Sequence, residues 1–173
     1  MKLTRSRGPI ALALVAAVAI VVAAVALRPA ASTGTSGTLA AADPGTITVY
    51  KNAGCRCCDS WADQMGARGH EMVIDASHDL DEVYAHYGVR PGLQSCHLAT
   101  VGKYIVVGHV PPAEVEALLE RGDDVVGLLA PGMPAGSPGM EAGGREDEYQ
   151  VLVLEKGGVV RPLARYRGTT RLN

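Results

Sequence analysis

Three of the chain's four cysteines fall within four positions, Cys55-Arg56-Cys57-Cys58, between a β-rich segment and a helix-patterned one. A strand must therefore end at this turn and a helix must begin on it. A scaffold stapled by disulfides fits poorly, because three of the four cysteines are crowded together and adjacent cysteines struggle to reach disulfide geometry without strain. The fold must rest on an apolar core instead. There is no Phe and one Trp in 173 residues, so that core is built mainly from Val, Leu, Ile and Ala. Beyond residue 45 about 120–130 residues remain, enough for one self-sufficient core. The formal net charge is -2 and no long basic run is present. Binding to nucleic-acid phosphate, which needs a concentrated cationic face, is excluded as the main role.

The pattern from residue 46 alternates between periods of two and 3.6 residues. Thr46–Tyr50 reads as a strand, and Lys51–Gly54 as a turn. From Cys57 to Arg68, Cys58, Trp61 and Met65 share one helical face, with Gly69 as the stop. Glu71–Asp75 reads as a second strand, and Leu80, Val83, Tyr84 and Tyr87 mark a second helix ending at Gly88. A loop leads to Cys96-His97. Leu98–Val101, the Gly102-Lys103 turn and Tyr104–Val110 form a hairpin. Pro111-Pro112 opens a third helix carrying Val115, Leu118 and Leu119. The order β-α-β-α-β-β-α is the thioredoxin-like α/β plan. A Gly/Pro/Met-rich loop, Pro131–Met140, then precludes regular structure, and residues 149–164 read as an added C-terminal hairpin. The predicted domain spans 46–166, with a polar, frayed tail at 167–173.

Residues 1–28 read as a membrane anchor or signal. Lys2, Arg5 and Arg7 flank an apolar run, Ile10–Leu27, of about 18 residues, just long enough for a transmembrane helix. The length favours an uncleaved single-pass anchor in the inner membrane. Cleavage near Leu39–Ala42, with secretion, is the alternative. Either way the positive flank keeps the N-terminus inside and the domain faces the extracytoplasmic side. Residues 29–45, rich in small and turn-forming side chains, read as a flexible linker.

Cys55-x-x-Cys58 follows a strand and opens a helix, where the helix N-terminus favours thiolate. A thiolate serves disulfide exchange and metal binding equally, so the motif alone does not choose. Three features tilt the reading towards a soft metal. Cys57 adds a thiol inside the motif that would compete with a redox pair. Ser95-Cys96-His97 stands where a thioredoxin carries its substrate-holding proline, and would converge on the cysteine turn. Met133 and Met140 on the irregular loop add thioethers, which with thiolates suit Cu(I). The predicted ligand set is Cys55, Cys57, Cys58 and Cys96, supplemented by His97, His109, Met133 and Met140. Copper, as Cu(I), is the expected metal and zinc the rival; zinc leaves the methionines unexplained. Met65 and Met72 are core fillers, and His70, His78 and His86 face solvent. The alternatives are a membrane-tethered thiol-disulfide oxidoreductase with Cys55 as nucleophile and Cys58 as resolving thiol, and an iron–sulfur carrier.

The residues Val49-Tyr50-Lys51, Cys55-Arg56-Cys57-Cys58 with Trp61, Gly88-Val89, Ser95-Cys96-His97, Gly108-His109-Val110-Pro111 and Pro131–Glu141 together resemble the "domain of unknown function 411" proteins. The resemblance covers about Thr46 to Tyr166. Arg56 stands where the family often has Gly, and Leu98 where it often has Thr. It implies a small bacterial thioredoxin-like protein that binds metal and takes part in copper resistance. A metal-binding protein without enzymatic turnover is expected, with a copper transporter, an oxidase or another copper protein as partner.

Overall fold

A computed structural model describes residues 45–173. The anchor or signal at 1–28, and all of the 29–45 linker except Gly45, lie outside the described residues. The elements are β1 (Thr46–Lys51), α1 (Arg56–Ala67), β2 (Glu71–Asp75), α2 (Leu80–His86), β3 (His97–Val101), β4 (Tyr104–Gly108), α3 (Pro112–Arg121), β5 (Gly127–Ala130), β6 (Glu148–Leu154), β7 (Val160–Arg167) and β8 (Thr170–Arg171). The first seven follow the order read from the sequence.

The strands form one mixed sheet of eight, ordered β2-β1-β3-β4-β5-β6-β7-β8. The β1–β2 and β4–β5 pairs are parallel and each brackets a helix. The other neighbours are antiparallel. Both faces are covered, which is why β3 and β4 read as unbroken apolar runs rather than alternations. Trp61 and Met65 of α1 and Val115 and Leu118 of α3 pack on one face. Leu80, Val83 and Tyr84 of α2 pack on the other. Asp79 caps α2, its side chain accepting from the Asp81 and Glu82 amides at 2.9 and 3.2 Å. Met65 is fully buried and Met72 packs against the same core. No helix among the described residues is long and apolar enough to cross a membrane.

Two differences from the sequence reading bear on the architecture. β5 was not expected: its four residues follow Asp123-Asp124 as a short apolar run without alternation, yet all four are buried beside β4. The tail also does not fray as a whole. β7 runs on to Arg167 and β8 pairs with it, because Ala164 and Tyr166 alternate inwards while Arg165 and Arg167 point out.

Candidate metal centre

At one end of the sheet the last residue of β1, Lys51, pairs with the first of β3, His97. The chain turns after Lys51, with the Cys55 amide donating to the Asn52 carbonyl at 3.2 Å, and α1 starts with Cys55 as its N-cap. Lys51 is nearly buried. Its ammonium lies 2.7 Å from the Asp59 carboxylate and donates to the Cys55 carbonyl at 3.2 Å, tying the strand end to the cysteine turn. On the other side Tyr84 fixes the approach to β3. Its hydroxyl accepts from the Ser95 amide at 3.1 Å and donates towards the Ser95 and His97 carbonyls, each at 2.9 Å.

The result brings all four cysteines together, their sulfurs within 4.8 Å of one another. Cys57 Sγ lies 3.5 Å from Cys55 Sγ and 3.7 Å from Cys96 Sγ. Cys55 and Cys58 are joined as a disulfide, while Cys57 and Cys96 are free thiols. In this form Cys55 and Cys58 offer no thiolate; the reduced form does.

The histidines complete the group. β4 ends at Gly108, whose φ of +68° turns the chain out of the sheet; a Cβ there would lie 2.5 Å from the Ala130 carbonyl and the Ser95 hydroxyl. His109, expected within the return strand, therefore sits just past it. Its Nδ1 lies 2.8 Å from the Pro138 carbonyl, which has only lone pairs, so Nδ1 carries the proton and donates. Nε2 is left with a lone pair, 3.0 Å from Cys96 Sγ. A ligating histidine is oriented in the same way, by a carbonyl on its far nitrogen. Burial lowers the His109 pKa, against the opposing pull of Pro138 and Glu141. The Cys96 thiol is pushed up to about 12, by burial and then by Cys57 beside it. Cys96 is thus a protonated thiol donating to a neutral imidazole. A metal ion replacing that proton finds a sulfur and a nitrogen already aimed at one point.

His97 is fully buried, its ring tilted against Trp61 with centroids 4.8 Å apart and edge-on to His109 at 5.2 Å. Burial, then His109 close by, lowers its pKa to about 3, with the Gly108 backbone opposing. Its Nδ1 is 3.5 Å from Cys96 Sγ, and its Nε2 makes no hydrogen bond of standard geometry among the described residues. Although neighbours in sequence, Cys96 and His97 fall with His109 in one group of possible ligands. Of the histidines expected to face solvent, His78 is engaged with Asp75 at 2.9 Å and packs edge-on against Tyr50. His70 lies 3.6 Å from Glu116.

The Gly/Pro/Met loop clasps the site from both ends. Gly132 bridges to Ser95, its amide donating to the Gln94 carbonyl at 2.9 Å and its carbonyl accepting from the Ser95 hydroxyl. Gly139, with φ +85°, lies on the first turn of α1, where a Cβ would come 2.6 Å from the Cys57 carbonyl. Met133 and Met140 each follow one of these contacts. Met133 is 58% exposed, so core filling does not account for it. Sequence reasoning missed Lys51, Tyr84, Gly108 and Gly139 as supports; a lysine closing an apolar strand was the one readable signal.

The family described as "Protein of unknown function, DUF411" matches residues 93–140, which include Cys96, His97, His109, Met133 and Met140. A solved structure named copper resistance protein CopG, form 1, is 40% identical, with TM-score 0.67, covering 73% of this chain and 100% of that one. The chain belongs to the DUF411 family. Form 2 of the same protein gives 40% identity and TM-score 0.67, covering 72% of this chain and 99% of that chain. No curated protein matches. The DUF411 match begins at residue 93, so Cys55–Cys58 lie outside it.

Proposed function

We propose that this DUF411 protein binds copper, as Cu(I), in copper handling or resistance on the extracytoplasmic face of a membrane. The carrying observation is the convergence of four sulfurs with His109 Nε2, whose far nitrogen is fixed by the Pro138 carbonyl. Soft thiolates with an imidazole are a donor set for Cu(I). Its ligands would be drawn from Cys55, Cys57, Cys58, Cys96 and His109. His97 Nδ1 is close enough to join, and Met133 and Met140 lie on the clasping loop. A solved relative named for copper resistance, seen in two forms, supports copper over zinc. The element order and the β2-β1-β3-β4 strand order support a thioredoxin-like frame. The membrane location rests on the apolar run at Ile10–Leu27 with its positive flank.

The residues present have separate tasks. Lys51 holds the cysteine turn, the α1 N-terminus favours thiolate, and Pro138 keeps His109 in the ligating tautomer. Carrying copper between proteins, with a transporter or an oxidase as partner, is the role such a site suits. Metal analysis of protein purified without oxygen tests the reading. Copper retained by the native chain and lost in Cys96→Ser supports it; zinc retained in its place contradicts it.

A further inference from the structure

The four sulfurs of the centre are in two chemical states. Cys55 and Cys58 share a disulfide, and Cys57 and Cys96 are thiols. A disulfide sulfur lacks the thiolate charge that binds a soft metal. The bonded form therefore presents three donors: Cys57, Cys96 and His109. Reduction by two electrons presents five. The residual trio is already gathered, with Cys57 Sγ 3.7 Å and His109 Nε2 3.0 Å from Cys96 Sγ. The disulfide lies against it, since Cys55 Sγ is 3.5 Å from Cys57 Sγ and Cys58 Sγ is 3.4 Å from the Cys96 carbonyl.

We infer that the Cys55–Cys58 disulfide is a gate on the metal site, opened by an external dithiol, which adds two thiolates to the donors that Cu(I) can draw on. The inference rests on the soft-metal reading above and adds its regulation. The electrons must come from another molecule. If Cys57 and Cys96 supplied them, a Cys57–Cys96 disulfide would form and two thiols would again be lost.

Cys58 is fully buried and Cys55 is not, so an incoming thiolate reaches Cys55 Sγ. Its electron pair forms a new S–S bond to Cys55, and the Cys55–Cys58 bond breaks. Cys58 leaves as a thiolate at the start of α1, where the helix dipole stabilises it. It then takes a proton from solvent and can donate to the Cys96 carbonyl. The second thiol of the donor attacks the donor's own sulfur in the mixed disulfide. Cys55 is released and protonated, and the donor departs as a disulfide. In all, one dithiol is oxidised and one protein disulfide becomes two thiols, with two electrons and two protons transferred.

The test uses the full-length protein, air-oxidised or treated with dithiothreitol and freed of it anaerobically. Iodoacetamide labelling of denatured samples counts thiols by mass, and Cu(I) is titrated against a chelating competitor. We expect two labelled thiols before treatment and four after, with Cu(I) held about a hundredfold more tightly by the four-thiol form. Cys58→Ser, and Cys55→Ser as a second variant, should hold Cu(I) equally before and after treatment. Four thiols before treatment would overturn the gate. So would equal Cu(I) affinity of the two wild-type forms, or an undiminished response in both variants. A four-thiol form that leaves Cu(I) with the competitor would instead overturn the soft-metal reading itself.

Discussion

Two partly buried polar clusters differ in how far their members satisfy one another. In one, the nearly buried Glu114 carboxylate accepts from the Tyr166 hydroxyl at 2.6 Å and meets the Arg171 guanidinium at 2.9 Å. A cation, an anion and a hydroxyl complete one another, and the group pins β7 and β8 onto α3. In the other, Cys96, His109, Cys57 and His97 are gathered; the Cys96 thiol faces His109 Nε2 at 3.0 Å, and His97 Nε2 makes no hydrogen bond of standard geometry among the described residues. Buried polar groups are normally paired, and exceptions call for a reason such as a missing ligand. The first cluster holds the fold; the second keeps donors that the proposed metal ion would use.

Mutations can break this contrast. The largest effect is expected at Cys96, which touches Cys57, His97 and His109. Cys96→Ser should weaken Cu(I) binding about a hundredfold or more, read by competition titration, while urea unfolding changes little. Next comes Gly139→Ala. Its Cβ would strike the first turn of α1 at a positive φ, so stability should fall by about 1–3 kcal/mol, and Cu(I) affinity should fall with it. Tyr166→Phe should do the reverse of Cys96→Ser. Urea unfolding should show a loss of about 1–2 kcal/mol from the lost Tyr166–Glu114 hydrogen bond, with Cu(I) affinity unchanged. If Tyr166→Phe altered metal binding, the two clusters would not be separate. The smallest effect belongs to Met133→Leu. Stability should hold because the side chain is exposed, and Cu(I) affinity should drop no more than about tenfold, from one lost thioether.

The legibility of the chain divides along similar physical lines. The elements from Thr46 to Arg121 could be read because Trp61, Met65, Val83 and Leu118 recur with helical spacing and glycines mark the ends. The meeting of Cys96 with Cys55–Cys58 could be read as well, since element order brings the start of β3 beside the start of α1. β5 could not, because a four-residue buried strand has no alternation to reveal it. The outward arginines of β7 looked like a solvated tail until Ala164 and Tyr166 were seen packed beneath them. The role of His109 was also hidden. It depends on a left-handed Gly108 and on the Pro138 carbonyl, 29 residues away in sequence, and periodicity records neither.

In the proposed site, Cys57, Cys96 and His109 join the reduced Cys55 and Cys58 to bind one soft metal. Anaerobic titration of fully reduced protein with Cu(I) and a chelating competitor tests it most directly. The native chain should withdraw Cu(I) from the competitor, and Cys96→Ser and His109→Ala should each lose most of that ability while remaining folded. Weak binding by the native chain, or tight binding undiminished in both variants, would contradict it.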